Sequence, residues 1–325
     1  MLTYCIRISI QGLNIRGGIY MKKEAEELEV TPHGHGLFED DEDIKATSPL
    51  KDSINELSKN RFAVAGLVII IFFILLGIFA PLLTSYGYEE QQLVNRLQAP
   101  SSEHWLGTDD VGRDIFSRIA YGARISLQVG FFAVTGALVF GTILGIIAGY
   151  FGRWVDMLIS RIFDILLAFP SILLAIAIVA ILGPSLENAL IAIAIVNVPI
   201  FGRLVRSRVI SLREEEYIMA AKAQGMKNGR IIFHHILPNS LAPIIVQATL
   251  GFGTAILEAA ALGFLGLGAQ APLPEWGKML ADARDFIQLA PWTLIAPGIS
   301  IMLVVLGFNL IGDGLRDALD PRMKN

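Results

Sequence analysis

The residue of this chain best placed to do chemistry inside a membrane is Glu258. It lies 17 residues after Leu241, within an otherwise apolar stretch. Ionisable groups in such stretches mark proton and ion relays, so one hypothesis is an ion- or proton-coupled secondary transporter that uses Glu258. Because 17 helical residues span about 25 Å, we expect Glu258 near the outer end of its span. A structural hydrogen bond or attraction for a cation is then the favoured interpretation.

Three aspartates lie close together before the second apolar run and could bind a divalent cation. They are Asp109, Asp110 and Asp114, with Arg113 and Arg118 among them. Their spacing does not fit a calcium-binding loop, and the two arginines can neutralise them. We therefore predict an ion-paired cap at this position, and no metal site.

The histidines offer little support for metal binding or hydrolysis. His33 and His35 lie in a glycine-rich segment, and two histidines fall short of a ligand set. An intramembrane hydrolase needs an activated nucleophile and a base within the bilayer. All five histidines, at positions 33, 35, 104, 234 and 235, lie outside the apolar runs. We therefore predict neither activity.

The composition identifies an integral membrane protein. Hydrophobic residues make up 54% of the 325 residues, and charged residues only 17%. A helix needs roughly 20 apolar residues to cross the bilayer. Six runs approach this length, at 62–82, 125–152, 165–183, 189–205, 241–268 and 291–312. Because they lack the alternation of barrel strands, we predict an all-α protein with six transmembrane helices, the third and fourth forming a hairpin.

The basic residues beside these runs predict the orientation. With the N-terminus inside, the inner segments hold 15 Lys and Arg residues near the spans and the outer segments hold six. Such an excess marks the cytoplasmic side. We therefore expect both termini, and the segment between the fourth and fifth runs, to be cytoplasmic.

The chain divides into four predicted regions. Residues 1–47 are acidic and glycine-rich and are predicted to be a disordered cytoplasmic tail; Met21 is a plausible start, so 1–20 is a suspected mis-assigned extension. Residues 48–124 are expected to hold a short interfacial helix, the first span and an extracytoplasmic segment. The other five spans fall in 125–315, and 316–325 forms a C-terminal tail.

Small and polar residues within the spans suggest packing and pathway positions. Gly141, Gly145 and Gly149 form a ridge that favours close helix packing, more simply within the chain than between subunits. Prolines in four spans predict kinks: Pro170, Pro199, Pro243 and Pro297. Polar side chains at plausible pathway depth are Gln128, Asn197, Gln247 and Asn309. Each of these four could instead bond a neighbouring helix.

The charged segment 213–238 is predicted to contain a short cytoplasmic helix. Three consecutive glutamates from Glu214 suit its N-terminus, Lys222 suits its C-terminal end, and Gly225 ends it. Tyr217, Ala221 and Gly225 share one face, so that face is nearly bare backbone and suited to a cleft in another protein. Pro238 is expected to break the following amphipathic piece and start the fifth span.

This segment resembles the cytoplasmic Glu-Ala-Ala loop of ABC importer permeases. The matching residues are Ala220, Ala221, Gly225, Ile236, Leu237 and Pro238. Met219 occupies the place of the family's glutamate, which weakens any ion pair there. Two more segments, 106–127 and 258–280, look like the C-type permease subunit of the dipeptide, oligopeptide and nickel importers. The resemblance covers roughly residues 48–320.

The resemblance implies a type I importer permease with a cytoplasmic coupling helix, in a bacterial or archaeal inner membrane. The chain would be a transport subunit rather than an enzyme. It would bind no cofactor, because ATP and Mg²⁺ would be held by partners, and the chain lacks the usual G-x-x-x-x-G-K-[ST] phosphate loop. The implied partners are a second permease, two ATPase subunits, an extracytoplasmic solute-binding protein and the lipid bilayer, with no nucleic acid. Peptides are the implied substrate; nickel, sugars, and a homo- or heterodimer of permeases stay open.

Overall fold

The computed structural model describes residues 56–319, which are helical throughout apart from loops and one isolated bridge between Thr108 and Asp114. We number the main helices α1 Arg61–Ile78, α2 Ile115–Phe151, α3 Arg153–Leu167, α4 Ser171–Leu182, α5 Leu186–Arg213, α6 Glu216–Ala223, α7 Leu237–Phe264, α8 Trp276–Ala283 and α9 Trp292–Leu319. The predicted N-terminal tail and most of the predicted interfacial helix lie outside the described residues. Of the predicted C-terminal tail, residues 316–319 continue α9 as helix, and 320–325 lie outside the described residues.

Five helices of the described part are long and apolar enough to cross a membrane, namely α1, α2, α5, α7 and α9. The sixth predicted span, at 165–183, is not one helix. The chain bends by 93° between α3 and α4, so the pair counts as a span only if its two halves are taken together. Pro170 lies at the bend because proline lacks an N–H and disfavours the helical conformation in the residue before it. The predicted kink is therefore a break.

The turn predicted between the third and fourth spans is present. Gly183 has a φ of +96°, a left-handed conformation that favours glycine. Ser185 then caps α5, its side chain accepting the Asn188 N–H at 3.1 Å. Val179 of α4 packs in one buried cluster with Ala189 of α5, as an antiparallel hairpin requires. The other three prolines lie inside helices that continue through them: Pro199, Pro243 and Pro297.

The glycine ridge of α2 packs against α5 of the same chain, as expected. A Cβ added to Gly141 would lie 2.6 Å from the Cβ of Phe201, and one added to Gly145 would lie 2.6 Å from the Gly202 carbonyl oxygen. At Gly149 the carbonyl oxygen of Arg206 would be 2.9 Å away. Because a side chain would force these helices apart, the ridge fixes their close approach.

The aspartates before α2 form the predicted ion-paired cap. Asp109 pairs with the Arg113 Nε at 2.6 Å and lies 3.6 Å from the Arg118 Nε. Asp114 caps α2 by accepting the Ser117 N–H at 2.7 Å. The second Asp114 oxygen lies 2.9 Å from the Nδ1 of His104, which is buried. Within residues 56–319 no cluster of three or more acidic, histidine or cysteine residues could hold a metal.

Candidate functional site

The loop between α5 and α7 folds into the short helix α6, followed by a left-handed turn. Gly225 has a φ of +78°, and its N–H donates to the Lys222 carbonyl at 3.0 Å. The next N–H, of Met226, donates to the Ala221 carbonyl at 3.1 Å. These bonds satisfy carbonyls at the helix end, so Gly225 ends the helix as the sequence predicts.

One side of α6 packs against the interior of the protein. Ile218 and Ala221 are buried, and they face the same interior as Ile231 and Ile236 from the following segment. Most of these residues belong to a buried cluster with Val205, Val209, Leu212, Ile244 and Tyr150. The expectation that Ala221 lies on a bare outer face was therefore wrong. The small side chain of Ala221 lets α6 pack closely against the rest of the chain.

The opposite side of α6 is exposed and carries little side-chain bulk at its end. Met219 is 52% exposed, and Ala220 and Gly225 are also exposed. A Cβ added to Gly225 would meet no atom within 4 Å. Glycine is thus required there by the backbone conformation and not by packing within this chain. We call Met219, Ala220, Gln224 and Gly225 the outer ridge.

Polar contacts tie this loop to the end of α2. Arg213 donates through Nη1 to the carbonyls of Gly149 and Tyr150 at 3.5 and 3.3 Å, which satisfies the C-terminal end of α2. The Tyr150 hydroxyl donates to the Asn228 side chain at 2.8 Å. Lys222 Nζ lies 5.2 Å from the centre of the Tyr150 ring. Burial lowers the pKa of Lys222, and nearby Arg213 adds to the effect.

These anchors were not apparent from the sequence. Tyr150 and Arg213 are 63 positions apart and follow no motif. The only indication was their location, since each ends a long apolar helix on the predicted cytoplasmic side. The anchors matter because they make α2, α5 and α6 a single packed unit, so a force on α6 reaches two membrane helices directly.

Pro238 does not interrupt the helix, contrary to the prediction. The segment from Asn228 to Phe264 is one continuous helical stretch, with a π-helical turn at Ile232–Ile236. The Leu237 N–H donates to the Ile232 carbonyl, five residues earlier. This wider turn accommodates a proline, which has no N–H and would clash with the carbonyl four residues before it. Ile236 is buried, Leu237 is half-buried and Pro238 is exposed.

Glu258 and Asn197 form a polar link between two spans. The Asn197 side-chain amide donates to the Glu258 carboxylate at 2.8 Å and also to the Ile193 carbonyl at 2.9 Å. The link therefore joins α5 and α7. This geometry supports a structural hydrogen bond between Glu258 and Asn197.

The other predicted pathway residues do not meet at one place. Gln128 lines a cavity between α1 and α2 with Phe73 and Arg124. Gln247 lines another with Leu204 and Arg316, between α5, α7 and α9. Asn309 is exposed on α9, facing Gly253. A pathway role for these positions stays a prediction.

A buried carboxylate outside the spans escaped the sequence analysis. Glu275 caps α8, accepting the N–H groups of Gly277 and Lys278, each at 2.8 Å. It packs tightly against Gly263, where a Cβ would lie 2.3 Å from its Oε2. Burial raises the pKa of Glu275 to about 7. The capping position before Trp276 was the one available signal.

The helical fold and the anchored loop define a permease subunit of an ABC importer. A family model described as binding-protein-dependent transport system inner membrane component matches residues 141–325, and one described as the N-terminal transmembrane domain of oligopeptide transport permease C matches 48–100. The chain belongs to the first of these families, as the C-type permease subunit that its motifs indicated. This membership removes the support for a coupled secondary transporter.

Curated relatives match almost the whole chain. The dipeptide transport system permease protein DppC of Alkalihalophilus pseudofirmus is 76% identical over 305 residues, covering 94% of this chain and all of the relative. The di/tripeptide transport system permease protein DppC of Pseudomonas aeruginosa is 47% identical over 297 residues, covering 90% and 98%. The glutathione transport system permease protein GsiD of Pectobacterium atrosepticum is 46% identical, covering 87% and 94%.

A solved structure shares the fold at low sequence identity. It is a chain of the MetNI methionine ABC transporter in an inward-facing conformation, with a TM-score of 0.51 and 20% identity. The match covers 62% of this chain and 97% of that chain. At this identity the similarity supports the type I permease fold alone.

Proposed function

We propose that this chain is the permease of an ATP-driven importer of dipeptides or short oligopeptides. The peptide substrate is supported by the relatives, whose names give dipeptides, di/tripeptides and glutathione as their cargo. The proposal includes a bacterial or archaeal inner membrane and cytoplasmic termini; the orientation is supported by the excess of basic residues beside one end of the spans. This orientation puts α6 in the cytoplasm.

The observation that carries the proposed mechanism is the two-sided character of α6. Its inner side, with Ile218 and Ala221, is buried in its own protein, while the outer ridge is exposed. The outer ridge is the surface proposed to lie in a cleft of a separate ATPase subunit, which binds ATP and Mg²⁺. Movement of that subunit would be transmitted through the contacts of Arg213 and Tyr150 to α2 and α5.

The proposed assembly contains a second permease, two ATPase subunits and an extracytoplasmic solute-binding protein. Such an assembly imports only when ATP is supplied, and it does not need a proton gradient. The test is dipeptide uptake into vesicles that contain the complete transporter. We expect uptake to require ATP, the ATPases and the binding protein, and to continue after the proton gradient is collapsed. Gradient-driven uptake by this chain alone would overturn the proposal.

The docking surface has its own test in the substitution Ala220→Arg. The long charged side chain projects from the exposed ridge and should not disturb the buried side of α6. We expect the variant to reach the membrane but to lose ATPase co-purification and uptake. The matched control is Ala99→Arg, at an exposed position on the predicted outer side. Equal ATPase recovery with both variants would contradict docking at the ridge.

A further inference from the structure

A groove runs along α7, between α5 and α9. One end of it is a cavity of about 470 Å³, a volume within the range of ligand sites. The cavity is lined by Leu204 of α5, by Arg316 of α9, and by Gln247 and Leu250 among other residues of α7. Leu250 also lies against α9, because a Cβ added to Gly312 would be 2.5 Å from its Cδ2. The groove therefore continues along the contact between α7 and α9.

Asn309 lies on the edge of α9 next to this groove. It is seven residues before Arg316, which lines the cavity, so the two share a face of α9. A Cβ added to Gly253 of α7 would be 3.1 Å from the Asn309 Oδ1. Gly253 is six residues after Gln247, so the two amides are separated by about 9 Å along the groove. Thr254 is exposed and shares the face of Gln247, which adds a third neutral polar group.

The amide of Asn309 lies within the hydrocarbon part of α9. The first charged residue of α9 is Asp313, 21 residues after Trp292. These residues extend about 31 Å, close to the thickness of the hydrocarbon core. Asn309 is one turn inside this limit. Because the Cβ of a helical residue points toward the helix N-terminus, its amide is directed away from the boundary at Asp313.

Lipid does not suit this groove. Within residues 56–319 neither Asn309 nor Gln247 has a side-chain hydrogen bond, and Asn309 is exposed. An amide without a partner in hydrocarbon is strongly unfavourable, whereas water satisfies it. Arg316 and Asp313 are both exposed and keep the adjoining end of the groove polar. A close-packed helix of another subunit would have to fill the cavity and supply partners for both amides.

We propose that the groove along α7 lines a hydrated path for the peptide, and that Gln247 and Asn309 hydrogen-bond the peptide main chain. The substrate class rests on the proposed function. A side-chain amide offers donors and an acceptor, as a peptide group requires, and it has no charge that would select among peptide side chains. The separation of about 9 Å matches an extended di- or tripeptide, at about 3.5 Å per residue. One substrate can therefore contact both amides.

The first test asks whether water reaches Asn309. In a variant that lacks Cys5, we introduce Asn309→Cys or Leu67→Cys and reconstitute the complete transporter in nanodiscs. Leu67 is 46% exposed on α1 and lies at the depth of Asn309, because a Cβ added to the adjacent Gly66 would be 2.6 Å from the Gly307 carbonyl oxygen. We expect the cysteine at 309 to react about tenfold faster with a charged thiosulfonate, because a thiol in lipid stays protonated and only the thiolate reacts.

Two outcomes of the labelling would overturn the proposal. Equal rates at both positions would mean that the groove is no more hydrated than the surface of α1. Slow reaction at 309, with disulfide cross-linking to cysteines placed in the second permease, would assign the groove to the subunit interface. Neither measurement uses ATP or peptide, so the result does not depend on whether the proposed function holds.

The second test asks whether Asn309 contacts the peptide main chain. We compare Asn309→Leu, Asn309→Gln and the control Leu67→Ala in vesicles that contain the complete transporter. For Asn309→Leu we expect the maximal rate of dipeptide uptake to fall about three- to tenfold, as loss of one hydrogen bond predicts. The concentration of loaded binding protein at half-maximal rate should stay unchanged. Asn309→Gln should keep most of the rate because it retains the amide, and the control should match the wild type.

The fall should be equal for dipeptides with apolar, acidic and basic side chains, because the contact is to the main chain. A loss confined to one class would overturn main-chain recognition, and an unchanged rate in Asn309→Leu would overturn the contact itself. If the wild-type transporter imports no dipeptide, the proposed function fails, whereas the labelling result still decides whether the groove is hydrated.

Discussion

Asn197 donates a hydrogen bond to Glu258 at 2.8 Å, joining two membrane-spanning helices through a carboxylate that is only 8% exposed. The same amide also bonds the Ile193 carbonyl, so Asn197 remains partly satisfied if the link is lost. This pair ties the end of α7 that carries the 258–280 motif to the middle of α5. A role in holding helices together predicts behaviour different from that of a proton carrier.

Glu258→Gln should keep substantial ATP-driven uptake. Glutamine retains an oxygen that accepts from Asn197 while removing the charge, so the link between the helices survives. Glu258→Leu should be less stable by about 1–3 kcal/mol, because the bond from Asn197 is lost. Uptake and thermal stability of the purified complex check both. A glutamine variant that imports nothing while remaining assembled would mean that the charge itself acts in transport.

Gly225→Arg should leave the protein in the membrane and abolish both ATPase co-purification and uptake. The substitution forces a side chain into a left-handed conformation and adds bulk beside the outer ridge. Gly225→Asn is the informative companion, since asparagine tolerates a positive φ and the space around the position is open. We expect it to retain most ATPase binding. If both variants lose ATPase binding completely, docking would depend on the absence of a side chain at position 225 and not on the turn conformation.

Cysteine labelling should place α6 and the α7–α8 loop on opposite sides. Starting from a variant that lacks Cys5, we place a cysteine at Gln270 or at Gly229. Both positions are exposed, whereas Glu275 is buried and would be a poor reporter. An impermeant reagent added outside intact cells should react at 270 and not at 229. The reverse pattern would reject the cytoplasmic location of α6.

Glu275 should make the folded protein less stable as pH rises. Burial raises its pKa in the folded state to about 7, above the ordinary 4.5. Between these values the folded protein binds more protons than the unfolded chain, so stability falls as pH increases through this window. The loss is about 3 kcal/mol at most. Melting temperatures at pH 5 and 8 should therefore differ more for wild type than for Glu275→Gln; an identical pH dependence in both would contradict this assignment.

The sequence by itself determined the membrane class, the approximate positions of the spans and the family. Long apolar runs have one stable outcome in lipid, because a helix satisfies its own backbone. The end of α6 at Gly225 and the close packing of the Gly141 ridge within the chain were equally predictable, although the partner helix α5 was not. Each depends on local chemistry, namely a conformation that favours glycine or a surface without side chains.

Only the tertiary structure decided which face of α6 is exposed and that the third predicted span is broken at Pro170. Ala221 is buried on the same side of α6 as Ile218, which packs with Ile231 and Ile236 from later in the chain, and helical spacing alone could not reveal that packing. The break at Pro170 was mistaken for a kink because the apolar run continues past it without interruption. A proline permits either outcome, and the choice depends on what surrounds it. Here Asp156 and Asp164 of α3 pair with Arg206 and Arg203 of α5, contacts between residues far apart in sequence.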